Sequence, residues 1–179
     1  MAADADFIET IRERPDDDVP RLIYADWLDE HDDPKGEFIR VQIQLAGMAK
    51  DDPARWDLEL RQHRLLHRHG WEWIYKPFDP HPHYFRPNFV RGFVETVPLP
   101  ASMFFEEPAA VFDAYPCLQT LVLHDIPRAE IGRLRDFSCL LRLRTLVVCG
   151  IVPRRLQAAL RTAFGDRLTF CTTFVRPSQ

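Results

Sequence analysis

The spacing of apolar side chains divides the chain at about residue 90. Before that point the apolar positions recur at helical intervals. Phe7, Ile8 and Ile11 predict a short helix over 4–14, which Pro15 and the run Asp16-Asp17-Asp18 break. Asp18 is the expected N-cap of a second helix, with Pro20 in its first turn, where the missing N–H costs nothing. In that helix Val19, Leu22, Ile23 and Trp27 share one face and are the expected buried stripe. The turn His31–Gly36 leads to a third helix, with Phe38, Val41, Leu45 and Met48 on one stripe and Ile39, Ile43 and Ala46 beside it. Asp51-Asp52-Pro53 opens a fourth helix, from Ala54 to His69, anchored by Trp56, Leu60 and Leu66 and ended by Gly70.

After residue 90 the pattern changes to strands at a fixed interval. Val94–Leu99, Leu118–Leu123 and Leu143–Val148 each read LxxLxL with aliphatic residues at the L positions and Thr at the third place. Their starts are 24 and 25 residues apart, and a further step of 25 reaches Leu168, where LTFCTT is a degraded copy. Between the strands, Phe104, Val111 and Phe112, then Ile131, Leu134 and Leu141, then Leu156, Leu160 and Phe164 fit one amphipathic helix each. One strand and one helix at constant spacing is the signature of a stacked repeat, in which each unit buries its apolar edge only against the next. The strands are expected to be parallel, with right-handed crossovers. Residues 71–90 belong to neither half. They hold four Pro and seven aromatics, too apolar for a solvated linker, and read as an irregular segment packed over the junction. The expected organisation is a helical head over 1–70, a connecting segment over 71–91 and a β–α repeat array over 92–179.

Two resemblances follow. LxxLxL at this interval resembles a leucine-rich repeat, although Ile126 and Ile151 stand where the usual Asn or Cys would be. The stretch RLIYADWLDEHDDPKGEFIRVQ, Arg21–Gln42, resembles the N-terminal signature of the bacterial repeat-companion domain family, and RGFVETV, Arg91–Val97, resembles the segment that opens the family's first repeat strand. The matching positions include Arg21, Tyr24, Asp26, Trp27, Glu37, Phe38 and Arg40. The resemblance implies an α/β protein: an N-terminal helical head packed on a short leucine-rich-repeat-like solenoid with parallel strands. It implies no reaction. The signature residues then have a structural role, closing the first turn of the array.

Charge refines this picture. Residues 1–37 carry 13 acids against 4 bases, whereas from Arg128 onward ten Arg face only Glu130, Asp136 and Asp166. The basic set Arg133, Arg135, Arg142, Arg144, Arg154 and Arg155, with Arg161 and Arg167, marks the alternative function of binding nucleic acid. No apolar run approaches the length of a membrane span, and the acidic start lacks the core of a signal peptide, so a cytoplasmic protein is expected. Cys117, Cys139, Cys149 and Cys171 contain no CxxC pair and read as buried, reduced thiols.

Catalytic chemistry finds little support. The three Ser lie outside any GxSxG, and there is no P-loop or GxGxxG. The acidic turn from Asp26 to Glu37 matches a calcium loop only at its ends, so Asp26 is expected to bond a backbone N–H or a nearby Arg, with Arg21 and Arg40 the candidates, and Asp32 or Asp33 to cap the next helix. Glu59, His63 and His67 share a helix face, but flanking Arg61, Arg64 and Arg68 oppose a cation. No metal and no cofactor are expected. The main functional expectation is the sheet face opposite the buried aliphatics: Thr96, Thr120 and Thr145, then Pro98, Val122 and Val147, with His124 at the end of its strand. This uncharged strip is expected to be covered, by residues 71–90 or by a protein partner.

Overall fold

The computed structural model describes residues 2–74 and 88–172. The chain combines helices with a five-stranded, mostly parallel sheet and forms two compact units, one of the helical residues up to 74 together with Phe89–Val94, the other of Glu95 onward.

The first unit contains α1 (Ala2–Glu13), α2 (Val19–Glu30), α3 (Lys35–Gly47) and α4 (Arg55–Ile74). The α2 stripe is not the one that hydropathy selects. Pro20, Arg21, Tyr24, Ala25 and Leu28 are buried, while Val19, Leu22 and Ile23 face solvent. An Arg and a Pro on the inward face hide that stripe from a hydropathy count. Asp18 makes no capping bond; instead Asp17 Oδ1 accepts from Val19 N at 2.9 Å. The third helix follows expectation at Phe38, Val41 and Leu45. Its start is held by Asp33 Oδ1, which accepts from Lys35 N at 2.9 Å. α4 runs through Gly70 to Ile74, and Trp56 and Leu60 are exposed rather than anchoring. Gly70 is buried inside the helix and does not end it.

Two parts of the segment expected to be irregular fall in regular elements. α4 takes its first four residues, and β1 (Asn88–Val90) its last three. Residues 75–87 lie outside the described residues. β1 is joined to β2 (Phe93–Pro100) through Arg91 and Gly92, at φ 49° and 90°. Two successive positive φ values are what a two-residue type I′ hairpin loop requires. A Cβ at Gly92 would lie 2.3 Å from Ile39 Cγ1, so the turn also packs too closely on α3 for any other residue.

β2 continues into the second unit, where β3 (Thr120–His124), β4 (Thr145–Cys149) and β5 (Leu168–Cys171) pair with it in parallel and in sequence order. Val97, Leu121, Leu146 and Leu168 form one inward row; Leu99, Leu123 and Val148 form the next, and all are buried. The last strand departs from the expected alignment. Leu168 pairs with Leu146, not with Leu143, so the final interval is three residues shorter than the repeat predicts.

The connections depart as well. The first is two short helices, α5 (Ala101–Glu106) and α6 (Pro108–Ala114), because Pro108 drives Glu107 to φ −147°, ψ 73°, outside the helical region. The second is a pair of 3₁₀ turns, Ile131–Asp136 and Ser138–Arg142, in which Ile131 and Leu134 are buried as expected, but Leu141 is exposed and Leu140 is buried in its place. Only the third is one regular helix, α7 (Arg154–Phe164), with Leu160 and Phe164 buried.

Candidate interaction surface

Side chains of Arg21–Gln42 bond and pack within the first unit, some buried and some at its surface. Arg21 is completely buried and donates to the carbonyls of Pro15 at 2.7 Å and Asp17 at 3.2 Å, not to Asp26. Arg91 reaches the same loop, donating to Pro15 O at 3.0 Å, Asp16 O at 3.1 Å and Asp18 Oδ1 at 3.2 Å. Tyr24 and Trp27 stack at 5.9 Å with Phe7 against both, and Tyr24 donates to Asp4 Oδ1 at 2.5 Å. Asp26 and Asp29 accept one nitrogen each of Arg40, both at 2.5 Å. Glu37 accepts from Arg61. Phe38 packs on Trp73 and edge-on to Phe89, at 4.9 and 5.0 Å between ring centres. Gln42 donates to Gln62 Oε1 at 2.8 Å and accepts from Gly92 N at 3.3 Å.

Carboxylates of the acidic turn and of the Glu59, His63 and His67 face are engaged by arginines: Asp26 and Asp29 by Arg40, Glu37 by Arg61. Glu59 is engaged by Arg55 at 2.7 Å, and the His63 and His67 rings lie 6.5 Å apart. Among the described residues no group of three or more His, Cys, Asp and Glu is placed to hold a metal ion. Among the same residues no helix is long and apolar enough to cross a membrane.

The strip expected on the sheet is brought together as rows. Thr96, Thr120 and Thr145 are register partners, as are Pro98, Val122 and Val147. Alternation along the strands puts both rows on the face opposite Leu121 and Leu146. Thr96 is exposed, and the other five are half-buried. β5 adds Thr169 beside Val147. The next row on this face is Pro100 beside His124 on β2 and β3, and Cys149 beside Cys171 on β4 and β5. His124 and Cys149 are buried. His124 Nδ1 donates to Asp125 Oδ2 at 2.9 Å, with Asp125 in the left-handed region at φ 55°. Burial, the adjacent Cys171 sulfur and a hydrogen bond with it push the Cys149 thiol up to about 11. That is the opposite of an activated nucleophile, which needs a stabilised thiolate. The cysteine pairing across β4 and β5 is the feature of this face that sequence reading missed. The shared 22-residue spacing of Cys117–Cys139 and Cys149–Cys171 was its only trace.

The basic set comes from several elements of the second unit. Arg133 lies over the Phe105 ring at 5.1 Å and donates to Glu130 at 2.6 Å. Arg135 donates to Gly132 O at 3.2 Å, and Arg142 lies over Phe112 at 5.0 Å. Arg144 precedes β4, Arg154 and Arg155 open α7, Arg161 lies over Phe170 at 5.4 Å, and Arg167 precedes β5.

Comparison with family models, with curated proteins and with solved structures finds no match to this chain.

Proposed function

We propose that the protein is a non-enzymatic protein–protein interaction module, an adaptor or regulatory subunit of a bacterial complex, whose docking face is the Thr and Val rows of the parallel sheet. The reading rests on one observation: six uncharged side chains from three strands, Thr96, Pro98, Thr120, Val122, Thr145 and Val147, lie in register on one face and remain partly accessible. A hydrogen-bonded sheet holds such a strip rigid, so a partner that buries it orders little of this chain. The helical unit fits the repeat-companion resemblance, and the β–α array is read as a short leucine-rich-repeat-like solenoid. What supports this reading over a nucleic-acid subunit is that Arg133 and Arg142 lie over aromatic rings of their own unit and Arg133 also meets Glu130.

The test is co-purification of the tagged chain from its host, with and without nuclease, beside a Val122→Glu/Val147→Glu variant. A stoichiometric protein that survives nuclease and moderate salt, and is lost from a folded variant, supports the module. Capture that vanishes with nuclease, or weakens steeply with salt regardless of the variant, sinks it and promotes the arginines.

A further inference from the structure

We propose that Cys149 and Cys171 form a covalent modification site, a thiol pair that reacts with a small-molecule disulfide and ends as a Cys149–Cys171 bridge between β4 and β5. The two residues are direct register partners on adjacent parallel strands, and the hydrogen bond from Gly150 N to Cys171 O, at 2.7 Å, fixes that register to the strand ends. Partners in neighbouring strands stand about 4.8 Å apart and point to the same face. That separation falls within the roughly 4.4–6.8 Å that a disulfide spans between Cα atoms. Both side chains therefore leave the same face of the sheet side by side, close enough for the Cys171 sulfur to raise the Cys149 thiol. Both cysteines are reduced in this structure.

Their unequal exposure orders the chemistry. Cys171 is half-exposed and Cys149 buried. The Cys171 thiolate attacks one sulfur of the small disulfide, whose S–S bond breaks and releases one thiolate. Cys149 then gives up its proton to that released thiolate, and its sulfur attacks Cys171 and displaces the second small thiol. Two protein thiols are oxidised, and one disulfide is reduced to two thiols. The product ties the last strand covalently to its neighbour.

The experiment exposes the reduced full-length protein to oxidised glutathione at pH 8, blocks remaining thiols with an alkylating agent and maps the products by mass spectrometry. A Cys149–Cys171 cross-linked peptide is expected, with Cys117 and Cys139 recovered alkylated. Cys149→Ser is expected to stop at glutathione on Cys171, and Cys171→Ser to slow reaction at Cys149 by about tenfold or more, because the exposed entry thiol is gone. Circular dichroism on both variants establishes that they fold. The proposal is overturned by a wild-type glutathione adduct that accumulates on Cys171 without cross-link, by Cys149 bridged to another cysteine, or by two thiols that stay unreacted in the folded protein.

Discussion

Arg21 of α2 and Arg91 of the hairpin turn donate to the same carbonyl oxygen, that of Pro15, at 2.7 and 3.0 Å. The loop between α1 and α2 is therefore held by two guanidinium groups, one wholly buried. Removing Arg21 strips donors from two carbonyls and empties a buried site. Arg21→Leu is expected to cost about 3 kcal/mol, and Arg91→Leu about 1.5 kcal/mol. Either arginine alone still satisfies Pro15, so the double variant should lose more than the sum of the singles by at least ~0.5 kcal/mol. Urea unfolding of the four proteins measures this. Strict additivity would mean that the shared acceptor carries no coupling.

Two glycines of α3 are expected to respond to alanine with opposite signs. At Gly36 a Cβ would stand 2.6 Å from the Ala25 carbonyl oxygen and 2.4 Å from Asp29 Oδ1, so α2 and α3 must part. Asp29 cannot swing away freely, because it holds Arg40. Gly36→Ala should therefore destabilise by about 2 kcal/mol in spite of alanine's helix propensity. Gly47 has nothing within 4 Å of the same position. Gly47→Ala should stabilise by up to about 1 kcal/mol. Thermal melts of both variants read the contrast directly.

These contacts show where the sequence was legible. The helical period of α3 and the LxxLxL strands are strong local signals, and their buried faces follow from them. The face of α2 was not legible, because burial there is decided by what Arg21 and Tyr24 bond to, and a hydropathy count sees only Val19, Leu22 and Ile23. The last strand was misaligned because α7 and the turn at Gly165 close in fewer residues than the earlier connections, which no spacing rule reveals. The Arg91-Gly92 hairpin was missed because Arg at positive φ carries no sequence signal, and the residue is held there by the Pro15 loop. The Thr and Val rows were legible because a period of two, once started, fixes the face of every later residue. The cysteine pair required the register itself.

The buried Cys149 thiol makes stability depend on alkaline pH. Its folded pKa is raised from 9.0 to about 11 by burial first, then by the neighbouring Cys171 sulfur. The folded state thus holds its proton where the unfolded state has released it. Its contribution is fully present below about pH 9 and is lost as pH rises toward about 11. Wild type should lose urea resistance across that window relative to Cys149→Ser, under reducing conditions. Parallel profiles for the two proteins would show that the thiol is not held protonated by the fold.

Neighbouring residues of β3 should separate the two faces of the sheet. Leu121 and Leu123 are fully buried in the inward rows, whereas Val122 between them is half-buried and lies beside Pro98 and Val147. Leu123→Ala removes packed atoms and leaves a cavity, so it should cost about 3 kcal/mol. Val122→Thr keeps the branched shape that suits a strand and exposes its hydroxyl to a partly open face, so it should cost less than about 1 kcal/mol. Val122→Glu should leave the fold intact and act on whatever covers the strip. If Val122→Thr proved as costly as Leu123→Ala, the Val row would be core, and the docking face would have to be sought elsewhere. If Val122→Glu folds normally, the row is surface, and loss of a bound protein in that variant can be assigned to the contact itself and not to unfolding.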